Sequence, residues 1–219
     1  MDIIKLLNNI IFGNICPVCR QPMEITDSSL AHAKCIELLN QKLKNGVISI
    51  NDINITADKF LFSYSNSTAL EMVLEMKSHT IRKACKLFAT IAAKCISEDV
   101  TFPDFDVVTH CPRKPAKKRI NGYDHSQLFA KYLAQMLGKP YLELVKRRET
   151  GGEQKKMKSV SARKKNVKNK FFHNTKYPVK KTRVLIVDDV ITTGSTAIEC
   201  ASVLKRAGAR QVSALFILD

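Results

Sequence analysis

The chain has 219 residues, 45% hydrophobic and 26% charged, and 36 lysines and arginines against 20 aspartates and glutamates give a formal charge of +16. That balance fits a folded domain of ordinary size with a small appendage and excludes a disordered chain. Its apolar runs, such as Ile10–Phe12 and Val184–Val187, fall far short of the roughly 20 residues that cross a bilayer, and Met1-Asp2-Ile3-Ile4-Lys5 lacks the basic start of a signal peptide.

Ile3, Ile4, Leu6, Leu7, Ile10 and Ile11 recur at helical spacing and predict a short amphipathic helix ended by Gly13, packed on its own domain or docked on a partner. A cysteine-bearing segment follows to Cys35, and Leu38–Ile55 reads as polar and turn-rich. A strand is expected at Phe60–Tyr64, then a helix over Thr68–Lys77 capped by Ser67. The stripe Ile81, Ala84, Cys85, Phe88, Ile91, Ala92 and Cys95 predicts a helix over Ile81–Ile96 with its two cysteines as buried packing thiols.

Val107–Val108 opens a buried strand that ends at Cys111-Pro112, and a basic loop leads to a helix over His125–Leu137, stopped by Gly138 and Pro140. Residues 146–170 read as basic and polar around Gly151-Gly152, with a possible helix at Ser159–Asn169. Arg183–Val187 is an apolar strand, Thr196–Ala207 a helix with Gly208 past its end, and Val212–Leu218 a last strand. Strands alternating with helices after residue 60 predict an α/β domain with a mainly parallel sheet. The expected division is a module over 1–45 and the α/β domain over 56–219.

The positive charge is local. Between Arg113 and Arg183 stand 22 basic and 4 acidic residues, and the rest of the chain is near neutral. Such a block draws phosphates, on a nucleic acid or on a small metabolite, unless it is only a solvated face. Tyr123, Phe171, Phe172 and Tyr177 lie in or beside it and could stack bases, although core or surface roles compete. His79, His110 and His173 are assigned no role.

Two stretches carry chemistry. In Val184 through Thr196, an apolar strand runs into Asp188 and Asp189, and a turn of Thr192, Thr193, Gly194, Ser195 and Thr196 opens a helix. Ligands of open α/β sheets bind beyond the carboxyl ends of strands, and a helix N-terminus offers unpaired N–H groups to a phosphate. Paired carboxylates accept hydrogen bonds from vicinal hydroxyls or help to hold a divalent cation, so the combination suits a ribose carrying a 5-phosphate. The patterns GxxxxGK[ST] and GxGxxG are absent, which disfavours a motor ATPase or a dehydrogenase.

In the second stretch, Cys16-x2-Cys19-x12-His32-x2-Cys35 offers three thiolates and one imidazole, enough for a closed, structural Zn2+ site. A redox Cys-Pro-Val-Cys pair and unrelated free thiols are the rivals. Seven cysteines, an odd number, preclude full internal pairing, so a cytoplasmic protein is expected.

The Val184–Thr196 stretch resembles the signature of the type I phosphoribosyltransferases, whose substrate is phosphoribosyl pyrophosphate (PRPP). That resemblance implies the type I phosphoribosyltransferase fold. It implies that Asp188 and Asp189 hold the ribose hydroxyls, that Thr192–Thr196 cradle the 5-phosphate, and that Mg2+ accompanies PRPP. Arg113 and Lys114, after the strand expected to carry the pyrophosphate loop, become the catalytic candidates beside the two aspartates. Thr192 stands where members that use 6-oxopurines carry an Asp, which argues against that substrate.

With its N-terminal helix and knuckle, nearly the whole chain resembles the ComF/GntX family of bacterial DNA uptake. Val107–Pro112, Lys117–Arg119 and Asn121-Gly122-Tyr123-Asp124-His125 follow its strand, basic loop and RGFNQ. Arg147, Thr150, Gln154, Arg163, Asn166-Val167 and Phe171 match further positions. Asn121, Asp124 and His125 replace Arg, Asn and Gln of that motif, and His32 replaces a Cys. The resemblance implies a protein that binds PRPP or a related ribose phosphate and acts in DNA uptake, with single-stranded DNA as a partner. The alternatives are an active transferase, or a PRPP sensor docking on a helicase.

Overall fold

The computed structural model describes residues 14–24, 28–78, 82–113, 124–148 and 170–219. The helix expected near the N-terminus, the one at Ser159–Asn169, Lys114 and most of the basic clusters lie outside them.

The main sheet is four-stranded and wholly parallel, built from β1 (Ala57–Phe62), β2 (Val107–His110), β5 (Arg183–Val190) and β6 (Gln211–Leu218) in the order β1-β6-β5-β2. Parallel strands need crossovers, and helices supply them here. They are α2 (Ser67–Ser78) and α3 (Arg82–Glu98) between β1 and β2, α4 (His125–Met136) after β2, and α5 (Ser195–Arg206) between β5 and β6.

The continuous apolar run of β5 follows from burial on both faces. Leu185 and Val187 pack with Phe88 of α3 and Phe129 and Leu133 of α4, whereas Val184 and Ile186 pack with Cys200, Ala201 and Leu204 of α5. Cys85 and Cys95 are buried in the first of these clusters, as packing thiols. Gly138 (φ 62) and Gly208 (φ 96) each follow a helix end in the left-handed region that favours glycine.

Several local expectations are corrected. The segment beginning at Leu38 is not all turn, because α1 (Ala33–Gln41) runs through it and buries Leu39 completely. Asn66, not Ser67, caps α2, its side-chain oxygen accepting the Ala69 N–H at 3.2 Å. No strand is expected at either end of 146–170. Val145–Arg147 (β3) pairs antiparallel with Phe171–His173 (β4), a two-stranded ribbon too short for its alternation to stand out. β5 also extends to Val190, so both aspartates lie inside the strand.

The stretch between α1 and β1 is held from the sheet. Asp58 accepts the backbone N–H groups of Ile48, Ser49 and Ile50 at 2.7, 3.0 and 2.7 Å. Cys16, Met23, Ala31 and Leu39 join the same buried cluster as Met72, Met76 and Phe88. Arg20 adds exposed ion pairs to Glu71 and Glu75 at 3.8 and 3.1 Å, which contribute little. No helix among the described residues is long and apolar enough to cross a membrane.

Candidate functional site

The C-terminal ends of β2 and β5 are adjacent, through the register His110↔Val187. Beyond them the chain delivers a cation from β2, a carboxylate pair from β5 and the first turn of α4. Successive strand residues point to opposite faces, yet α4 reaches both aspartates. His125 Nε2 lies 2.8 Å from Asp189 Oδ2, and Ser126 Oγ donates to Asp188 Oδ1 at 2.8 Å. Arg113 Nη2 donates to the same Asp189 oxygen at 3.3 Å. His125 and Asp189 are buried.

One residue fixes this arrangement. Asp124 caps α4 by accepting the N–H groups of Ser126 and Gln127, and its other oxygen accepts the Arg113 N–H at 3.3 Å. The loop after β2 and the start of α4 are thereby tied together. The same oxygen lies 3.7 Å from His110 Nε2, and the other ring nitrogen of His110 bonds Tyr141 Oη at 2.9 Å. Burial pushes the Tyr141 hydroxyl above its ordinary value.

The two carboxylates are crowded. Burial, and then the charge of Asp189, push the Asp188 carboxyl well above the usual carboxylate range, against the opposing bond from Ser126. Cys111 and Cys200 lie together under Asp188, and their mutual contact and burial raise the Cys111 thiol. The pair therefore gains from any ligand that brings hydroxyl donors or a cation.

The turn after β5 is anchored by the Ile191 N–H on Leu218 O at 3.0 Å. Thr192 and Thr193 are exposed, and Thr193 Oγ1 lies 2.8 Å from Ser195 Oγ. Gly194 holds φ 66 immediately before α5. A Cβ there would meet Ile191, Ile198 and Ile50 methyls no closer than 3.5 Å, so glycine is required by its left-handed backbone rather than by a lack of space. The first N–H groups of α5 have no partner within the helix, and Gly194 supplies no side-chain cap.

A second cluster lies in the N-terminal segment. One ligand atom from each of Cys16, Cys19, His32 and Cys35 falls within 4.8 Å of the others. A tetrahedral centre with sulfur at about 2.3 Å has edges of about 3.8 Å, so the four donors could hold one metal ion with little contraction. Cys19 Sγ and His32 Nδ1 are 3.3 Å apart, while His32 Nε2 lies 3.2 Å from the Pro22 carbonyl. A carbonyl only accepts, so Nε2 carries the proton and Nδ1 is left as the ligand. Bonds from Arg20 N to Cys16 O and from Cys35 N to His32 O, both 2.9 Å, fold the two halves.

The structure thus brings Asp188, Asp189 and Arg113 to one edge, beside the Thr192–Thr196 turn, and gathers all four expected ligands. The sequence reading assigned no role to His125, Ser126 or Asp124. An Asp-x-Ser start to a helix after a basic loop is a legible cap, but its docking on the aspartates needs β2 to lie beside β5.

A parallel sheet with a carboxylate pair and a glycine-led helix start at one strand end defines a phosphoribosyltransferase-type domain, and residues 124–219 match the family described as "Phosphoribosyl transferase domain". Part of the chain is similar to competence and DNA-utilization proteins. It is 37% identical over 91 residues to the DNA utilization protein YhgH of Salmonella typhi, covering 42% of this chain and 39% of that protein. It is 32% identical over 94 residues to Competence protein F of Haemophilus influenzae, covering 42% and 40%. The matches thus span well under half the length of these curated relatives. Among solved structures, the chain is similar to the glutamine phosphoribosylpyrophosphate amidotransferase of B. subtilis, with a TM-score of 0.46, 23% identity, and 66% of this chain and 30% of that chain covered.

Proposed function

We propose that the protein binds PRPP, or a related ribose 5-phosphate, at the carboxyl edge of β5, and that it acts in DNA uptake and handling in the cytoplasm. The observation that carries the reading is the crowded Asp188–Asp189 pair beside the Gly194-led start of α5. In this reading Asp188 and Asp189 accept the ribose 2- and 3-hydroxyls. The hydroxyls of Thr192, Thr193, Ser195 and Thr196 and the first N–H groups of α5 receive the 5-phosphate. Paired carboxylates are hard oxygen donors and suit Mg2+, which when bound neutralises pyrophosphate charge.

Arg113 holds Asp189 and stands on the side from which a pyrophosphate would approach, with Lys114 next in sequence. A pyrophosphate competes for Arg113, and the released Asp189 oxygen then meets the sugar. His125 keeps Asp189 aimed through this exchange. A second reading, transfer of the ribose phosphate with release of pyrophosphate, is favoured by Arg113 alone. It calls on positioning and charge stabilisation rather than covalent chemistry.

Cys16, Cys19, His32 and Cys35 hold a structural Zn2+ in this proposal, which closes a module within 1–45 on the domain over 56–219. The DNA role draws support from the names of the two relatives and from the basic block; docking on a helicase is left to the sensor reading.

Calorimetry with PRPP and Mg2+ tests the site. The Asp188→Asn/Asp189→Asn protein should bind at least tenfold more weakly, because neutral amide oxygens are poorer acceptors than carboxylates by about 1.4 kcal/mol or more across two bonds. Equal affinity for both proteins would remove the site. Pyrophosphate release from PRPP offered with bases or DNA distinguishes turnover from binding.

A further inference from the structure

At the far end of α5, about 16 Å along the helix from the phosphate turn, a cavity of about 540 Å3 opens between the helix and the β3–β4 ribbon. Its floor is apolar, with Phe171 and Val203 both buried. Phe172, the next residue of β4, turns outward and is 37% exposed. Arg148 and Arg206, both exposed, stand on the rim with His173.

The rings and cations are paired. The Arg147 guanidinium lies 5.1 Å from the Phe171 ring centroid, and that of Arg148 lies 5.7 Å from Phe172. His173 Nε2 lies 2.9 Å from the Tyr177 carbonyl, so that nitrogen carries the proton and Nδ1 can accept a hydrogen bond.

The volume suits a nucleotide unit rather than an ion. An exposed phenylalanine flanked by arginines offers a stacking face together with positive charge. The field here has to be built by side chains. The C-terminal end of a helix carries a partial negative charge of about half a unit, and Lys205 is occupied with the Arg210 carbonyl at 2.9 Å. Arg148 and Arg206 outweigh that partial charge.

The chain adds a second argument. Arg148 N donates to Lys170 O at 2.8 Å, so Lys170 adjoins Arg148 at the end of the ribbon, and with Arg147 and Arg206 the described residues gather four cations here. So much charge favours a polyanion over a free mononucleotide. Only a single strand leaves base faces open to stacking.

We infer that this cavity is a single-stranded nucleic-acid site, with a base stacked on Phe172 and neighbouring phosphates held by Arg148 and Arg206. The inference rests on the DNA part of the proposed function and is independent of the PRPP site.

The test is fluorescence anisotropy of a labelled oligothymidylate with the full chain across a salt series. Phe172→Leu, which keeps the apolar bulk, should weaken binding about tenfold. Arg148→Gln/Arg206→Gln should flatten the slope of log K against log salt by about 1.4, the loss of two single-strand phosphate contacts. Both variants should bind PRPP like the wild type. Wild-type oligonucleotide affinity in both variants would overturn this site while leaving the DNA role standing. A wild-type protein that binds thymidine monophosphate but no oligonucleotide, or neither, would overturn both.

Discussion

His125 is the most informative position to perturb. It is 1% exposed, and its ring lies 2.8 Å from Asp189 Oδ2, an oxygen that Arg113 also meets at 3.3 Å. A hydrogen bond to a charged group contributes about 1.5–3 kcal/mol net. Leucine at 125 fills much of the volume but donates nothing, so Asp189 loses the shorter of these two bonds. The expected loss for His125→Leu is about 2 kcal/mol, which at a urea slope of about 2 kcal/mol/M lowers the midpoint by about 1 M. His125→Gln keeps an N–H donor and should lose less than half as much. Urea unfolding followed by circular dichroism reads both. PRPP calorimetry should fall in the same order, since an Asp189 without the His125 bond is less well aimed at a sugar hydroxyl. If the Leu and Gln variants unfold and bind alike, the bond to Asp189 is not what His125 contributes, and the positioning argument fails.

Two further outcomes follow from the geometry. The wild-type protein should carry one tightly held zinc by metal analysis, and Cys19→Ser should lose it and lower the melting temperature, because Cys16, Met23, Ala31 and Leu39 of that segment share the main buried cluster; a variant that still holds one zinc would refute the ligand set. The Asp188 carboxyl is raised in the folded state, so between the ordinary carboxylate value and that raised value the folded protein binds more protons than the unfolded one. Stability should therefore fall as pH climbs through that window, and Asp188→Asn should remove the slope; identical pH profiles for the two proteins would contradict it.

Much of this was legible because the informative residues are close in sequence. The run from Val184 to Thr196 contains a strand, its terminal carboxylates, a left-handed glycine and a helix start, each with its own local signature. The metal cluster was legible for the same reason, two short spacings and one loop. What stayed hidden depends on distant pairing. Asp124 reads as a helix cap, but its second oxygen on Arg113 and the reach of His125 and Ser126 to the aspartates exist only because β2 lies beside β5. The β3–β4 ribbon has only three residues per strand, separated by a long basic stretch, and no periodicity of that length survives in a single sequence. Its cavity with α5 was equally out of reach, although Phe172 was visible as a candidate for stacking.

The acid pair is the strongest argument that this edge binds something. A strand buried on both faces is normally apolar throughout, and β5 obeys that rule from Val184 to Val187 before placing two adjacent carboxylates at its end. Nothing in the packing requires them: valine at 188 or 189 would continue the run and spare the repulsion that raises Asp188. The fold instead commits Ser126, His125 and Arg113 to these oxygens, and commits Asp124 to holding those three in place. A purely structural strand end has no use for that much buried polarity, since burying charged groups costs free energy even when they are paired. The arrangement makes physical sense when a ligand with hydroxyls or a cation completes it, at an edge where an open helix start can take the attached phosphate.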